Sequence, residues 1–232
     1  MTTNATVGSA AAAARLGVTV RQVQRWVASG DLIATRTVGN ALLIDAQSLN
    51  AFARTRPARG RAWSSDMAWA ALWMLSAEGA LPVDLSARNR RRLADHLDRV
   101  TAEELLVAVR RRATVTTYRG SASFHGDITD ALVLTGGNAT DAGEYRLSRR
   151  TDDRLDGYCD EEDATRLIKR AHLVEDTAGS IVIRVPRTAG IVAAMTGGRP
   201  PNAVVAADLA TSHDARERSE GLRVLRDLLG RA

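Results

Sequence analysis

The chain has 232 residues, 45% of them hydrophobic and 25% charged, with a formal net charge of +5 at pH 7; that composition supports real cores and excludes wholesale disorder. Its one cysteine, Cys159, excludes an intrachain disulfide and suits a reducing compartment. The apolar runs are too short to span a bilayer, and the beginning MTTNATVGSAAAAARLG lacks the charged start and long apolar stretch of a secretion signal, so the expectation is a soluble, cytoplasmic protein with no membrane partner.

Lys169 is the only lysine, so a high arginine count by itself reflects coding bias as much as chemistry. The placement of charge is more telling. Residues 1–62 hold eight arginines against two acids, a net +6, and the remaining chain is −1. An excess confined to the first quarter points to a polyanionic partner at that end.

Ser9 is placed to cap a helix through the alanine run to Gly17, since alanine is the strongest helix former and glycine a common stop. Gly17-Val18-Thr19 makes a tight turn. Thr19 opens a second helix, and Gln22 three residues on completes a T-x-x-Q capping box. The spacing of Val20, Val23, Trp26 and Val27 puts them on one face, which leaves Arg21, Gln22, Gln24 and Arg25 outward. Ile33–Val38 and Ala41–Ile44, on either side of Gly39-Asn40, read as a hairpin. Asp45 then caps a third helix with Leu49 and Phe52 inward. Helix, turn, helix, hairpin, helix is the order of a winged helix-turn-helix.

The segment AAARLGVTVRQVQRWVASGDLIATRTVGNALLIDAQSLNAFAR resembles the excisionase-type and MerR-like DNA-binding domains over about residues 8–56. The matching positions are Ala13, Ala14, Leu16, Gly17, Val18, Thr19, Val23, Arg25, Trp26, Gly30, Leu32 and Phe52. That resemblance implies that the second helix enters the major groove and that the hairpin wing meets the backbone or the minor groove. The side chains suit the task. Arginine can donate two bonds to guanine and glutamine can pair with adenine, and Thr19 with the helix N-terminus suits a phosphate. The candidate DNA-binding residues are Thr19, Arg21, Gln22, Gln24 and Arg25 on the helix, with Arg36, Thr37 and Asn40 on the wing. Residues 57–62, between a domain at 1–56 and a second at 63–232, form an arginine-rich linker. Arg59 and Arg61 there serve either as plain tether or as ligands of a narrow minor groove.

From Trp63 the texture changes. SSDMAWAALWMLSAEG reads as a capped apolar helix with Trp69, Leu72, Trp73 and Leu75 available for burial. LSARNRRRLADHLDRV is a second, capped by Ser86, and TAEELLVAVRRRA a third, with a Thr101/Glu104 capping box. Its closing Arg110, Arg111 and Arg112 suit the negative end of the helix dipole. Alternatively they join Arg88, Arg91 and Arg92 in a second basic surface for DNA or an acidic partner. A strand at 114–118 follows, then an apolar run, Gly136-Gly137 and a helix. DRLDGYC reads as a strand, DEEDATRLIKRAH as a helix capped by Asp160, and LVEDTAGSIVIRVP as a hairpin around Asp176–Gly179. NAVVAADLATS and HDARERSEGLRVLRDLLGRA close the chain as two amphipathic helices. The expected fold class is α+β: an N-terminal winged helix-turn-helix domain plus a larger mixed α+β C-terminal domain with a small sheet.

Over about 63–232 this second half resembles the C-terminal region of the AbiEi-type antitoxins of type IV toxin–antitoxin systems. The stretches that carry the likeness are VRRRATVTTYRG, LVLTGGNATDAG and AVVAADLATSHDARERSEGLRVLRDLL. The resemblance implies a bacterial repressor of its own operon that binds double-stranded operator DNA and neutralises a nucleotidyltransferase toxin, with a homo-oligomer on DNA as a further expectation. A generic winged-helix regulator without a toxin is one alternative. An alternative of a different class is a nucleotidyltransferase-like enzyme with a DNA-targeting domain. Gly136-Gly137 fit the turn that receives a triphosphate, but Asp152-Asp153 and Asp156 do not make the D-x-D that would hold two metal ions. His96, His125, His172, His213 and Cys159 lack metal-ligand spacing. No catalytic residue, metal or cofactor is expected.

Overall fold

The computed structural model describes residues 6–36, 41–55, 62–77, 80–140, 145–147 and 153–231. The chain divides into two units, Met1–Ala58 and Arg59–Ala232.

In the first unit, strand β1 (Thr6–Gly8) leads directly into helix α1 (Ser9–Leu16). Gly8, not Ser9, occupies the N-cap, and no side chain caps this helix. The alanine run sustains α1 without that help, as its high propensity allows. Helix α2 (Val20–Ala28) is N-capped by Thr19, whose hydroxyl accepts from the Gln22 N–H at 3.3 Å, the forward half of the capping box. Strands β2 (Ala34–Arg36) and β3 (Leu42–Asp45) pair antiparallel with Ala34 opposite Ile44. Of the expected strand residues, Ile33 and Ala41 fall outside the strands, and the hairpin tip at 37–40 lies outside the described residues. β1 pairs along the other side of β3, giving the order β1-β3-β2; three residues are too few to show a period in the sequence. The Asp45 carboxylate accepts from the Ser48 N–H at 2.7 Å and so caps helix α3 (Ala46–Thr55). Ala12, Ala13, Leu16, Val23, Leu32, Ile44 and Leu49 form the core. Trp26 and Phe52 pack against it with ring centroids 4.7 Å apart. Val20, expected inward, is 37% exposed, because it stands in the first turn at the margin of the apolar arc.

In the second unit, helices α4 (Ser65–Ser76), α5 (Ala87–Leu97) and α6 (Ala102–Val109) are N-capped by Ser64, Ser86 and Thr101. The Thr101/Glu104 box is complete: each residue's side chain accepts from the other's N–H, at 3.0 and 3.2 Å. Strand β4 (Ala113–Arg119) follows, then a 3-10 turn and helix α7 (His125–Ala131), which no periodicity in GSASFHGDITDA signals. After strand β5 (Val133–Leu134), the helix expected at the double glycine is only a 3-10 turn, Gly136–Asn138; two consecutive glycines are poor helix formers. Strand β6 (Leu155–Tyr158) leads to helix α8 (Glu161–Arg170). Asp160 holds the N-cap position, but its side chain makes no capping bond; the carboxylates of Glu161, Glu162 and Asp163 fill the first turn instead. The chain ends with strands β7 (Val174–Glu175) and β8 (Ile181–Pro186) and helices α9 (Ile191–Ala194), α10 (Asn202–Ala210) and α11 (Ala215–Leu229).

The sheet order is β5-β6-β8-β4-β7, with β6 and β8 parallel and the other pairs antiparallel. This corrects the expected hairpin. The turn at Asp176–Gly179 does form, with the Gly179 N–H on the Asp176 carbonyl at 2.9 Å, yet β7 and β8 lie on opposite sides of β4 and do not pair with each other. Their connection passes over the end of β4 so closely that a Cβ on Gly179 would stand 2.1 Å from the Tyr118 carbonyl oxygen. Helices cover both sheet faces. One core joins α4, α5, α6, α10 and α11 around Trp69 and Tyr158; the other joins α7, α8, Ile181 and Ile183. Helix α10, expected to be amphipathic, is buried on all sides from Ala203 to Ala210. The fold class is α+β.

Candidate nucleic-acid interface

Helix α2 is held from behind. Val23 is buried, Trp26 packs against Phe52 with the rings tilted by 52°, and Leu32 is buried with its N–H on the Trp26 carbonyl at 3.1 Å. The Ser29 hydroxyl bonds the Asp31 carboxylate at 2.7 Å and steadies the turn that follows. With its apolar side fixed, α2 turns Arg21, Gln24 and Arg25 to solvent; Gln22 is half-buried, and Thr19 is exposed while its hydroxyl caps the helix. Among the described residues nothing pairs with the guanidinium of Arg21 or Arg25 or with the Gln24 amide. A rigid rod presenting free two-pronged donors is what base-edge readout requires. Of the wing residues, Arg36 ends β2 opposite Leu42. Thr37, Asn40, Arg59 and Arg61 lie outside the described residues.

The second basic group is split by the structure. Arg88, Arg91 and Arg92 are exposed on α5, and Arg110 and Arg111 are exposed just after α6. Arg112 is no part of a surface: it is 5% exposed, because entry into β4 turns its side chain inward. Its carbonyl accepts from Ser65 Oγ and Trp69 Nε1, both at 3.1 Å, and its guanidinium pairs with Asp208 and donates to the Val109 carbonyl.

Asp208, in the middle of buried α10, gathers four partners: Arg112, Arg184 Nη1 at 3.0 Å, the Tyr158 hydroxyl at 2.9 Å and the Thr135 hydroxyl at 2.7 Å. Arg184 also grips Asp156 two-pronged, Nε at 2.6 Å and Nη2 at 2.8 Å. One buried carboxylate, Asp208, and one half-buried carboxylate, Asp156, thus balance two buried guanidiniums. Burial works against the Arg184 charge, but Asp156 and Asp208 outweigh it and hold the group protonated. Burial also raises the Tyr158 hydroxyl above its ordinary value, which keeps it a donor. Sequence reasoning missed this cluster. Its one signal is the lone acid in NAVVAADLA, since a carboxylate in an apolar helix has to be paired.

The double-glycine turn lies beside this cluster. The Thr135 N–H reaches the Asp156 carbonyl at 2.8 Å, and the Asp156 N–H reaches Asn138 Oδ1 at 3.0 Å. The Asp156 carboxylate, however, is committed to Arg184, and the residue two positions on is Tyr158. Asp153 is exposed, and Asp152 lies outside the described residues. Among the described residues no group of three or more His, Cys, Asp or Glu side chains is arranged to hold a metal ion, and no helix is long and apolar enough to cross a membrane.

No curated protein and no solved structure matches the chain. Residues 8–57 match the family described as a helix-turn-helix domain, and the paired helices and strands of the N-terminal unit agree with that match.

Proposed function

We propose that the protein is a sequence-specific DNA-binding autoregulator of transcription, and that its second unit binds a protein partner as the antitoxin of a type IV toxin–antitoxin system. One observation carries the DNA reading. Among the described residues Arg21, Gln24 and Arg25 have no partner, and they stand on the solvent face of a helix whose other face is locked into a core. The charge partition agrees, with the +6 excess confined to residues 1–62. The antitoxin role rests on the resemblance of residues 63–232. In this reading the second unit performs no catalysis, and the commitment of Asp156 and Asp208 to arginines supports that.

Selection of bound duplexes from a random library, with the full chain as bait, tests the first part. A defined motif is expected, and recovery of unrelated sequences alone would sink specific recognition. Co-expression with the product of the neighbouring open reading frame, which this proposal expects to be a nucleotidyltransferase, tests the second. Relief of growth arrest is expected; arrest that persists at equal expression would leave a regulator without a toxin.

A further inference from the structure

β4 is longer than the strand that covers its outer side. Residues Ala113–Tyr118 pair with β8, but β7 reaches only Tyr118 and Arg119. The Asp176 N–H closes that end on the Thr117 carbonyl at 3.0 Å, so the backbone groups of Thr117 point away from β8. Backbone direction alternates along an antiparallel strand. Val115 therefore shares the outward direction, while Thr114 and Thr116 face β8. Among the described residues nothing meets the Val115 N–H or carbonyl. Val115 is 50% exposed and Val174, on the same sheet face beside Arg119, is 56% exposed. Such edges are ordinarily blunted by charge, proline or a covering element, and the run Ala113–Tyr118 contains neither charge nor proline.

The ends of this free edge are cationic. Arg110 and Arg111 are exposed at its start and unpaired among the described residues, and the Arg119 side chain, 71% exposed, holds Asp176 only loosely at 3.6 Å. That charge pattern argues against a second copy of the chain as occupant. Antiparallel self-pairing about Val115 would set Arg111 opposite Arg119, like charges face to face, and β7 already lies on Tyr118 and Arg119 in each copy. We propose that the open edge of β4 around Val115 receives an extended acidic segment of the protein partner, which adds a strand to the sheet. Its backbone pairs with Val115, an apolar side chain covers Val115, and its carboxylates meet Arg110 and Arg111. This inference rests on the reading of the second unit as a partner-binding domain.

The test uses the full chain and a labelled synthetic peptide of alternating valine and threonine with glutamates at both ends. Saturable binding is expected, with amide exchange at Val115 slowed by about tenfold or more. Val115→Pro removes the outward N–H and leaves the β8 ladder intact; it is expected to abolish binding. The double change Arg110→Glu with Arg111→Glu avoids the strand altogether and is expected to weaken binding by about tenfold or more, so it decides the matter if the proline variant does not fold. Absence of binding to the unaltered chain, equal binding of a lysine-flanked peptide, or full binding by the charge-reversed variant would overturn the proposal. So would a dimer of the unaltered chain that Val115→Pro dissolves, since the occupant would then be a second copy. DNA binding by the same preparations is read separately: its loss in the unaltered chain sinks the regulator reading, whereas peptide failure with intact DNA binding sinks only the strand addition.

Discussion

A carboxylate inside an apolar helix has to be answered by cations, and Asp208 is answered by two. Asp208→Asn leaves Arg184 with Asp156 but the buried Arg112 guanidinium with no carboxylate, so urea unfolding should show a loss of about 3–5 kcal/mol. A change within ~0.5 kcal/mol would mean that the guanidiniums find water instead. Arg25 is the opposite case, exposed and without a partner among the described residues, so Arg25→Ala should leave unfolding unchanged and weaken specific DNA binding by about 1–3 kcal/mol. An equal loss on every sequence would mark it as a phosphate contact. At Cys159, burial, with Asp163 and Asp160 adding, pushes the thiol up to about 12. The native chain should therefore resist a disulfide reagent at pH 8 and react once unfolded. Glu220 shows the reverse shift. Hydrogen bonds from Arg223 outweigh burial and hold its carboxyl below the ordinary 4.5. A depressed folded value contributes stability that is complete above the unfolded value and drains as pH falls below 4.5 through the folded one. Unfolding midpoints across that acid range should fall less steeply for Glu220→Gln than for the unaltered chain.

Between elements, α11 approaches α10 closely at Gly221. A Cβ on Gly221 would stand 2.4 Å from the Ala210 nitrogen and 2.5 Å from the Ala206 carbonyl oxygen, backbone atoms that cannot swing aside. Gly221→Ala should force the helices apart and cost about 1–3 kcal/mol, whatever alanine gains in helix propensity; a neutral or stabilising result in thermal melts would refute the close packing. Helix starts were largely legible, because a cap is a local affair: Thr19, Ser86, Thr101 and Asp45 cap as their spacing implies, whereas the side chains expected to cap at Ser9 and Asp160 do not. Strand partners were the least legible. Nothing in LVEDTAGSIVIRVP tells β7 and β8 to straddle β4 instead of pairing, since the competitor for their hydrogen bonds lies about sixty residues away in sequence. Arg112 was misplaced for a kindred reason, because three adjacent arginines look alike until a strand turns one of them inward.

For the whole molecule, the uneven charge sets the expected behaviour on DNA. If the first unit neutralises phosphates, log affinity should fall linearly with log salt at a slope of about −0.9 per contact; a flat response would rule out an arginine–phosphate interface. The amino-acid sequence by itself determined the two-part organisation of charge, the helix-turn-helix and its outward polar face, because those follow from composition, caps and helical period over short spans. Only the tertiary structure decided the sheet order, the burial of Arg112 and α10, the cluster at Asp208 and the open edge of β4. Each of these depends on which distant segment reaches a given donor, acceptor or charge first, and no local period encodes that.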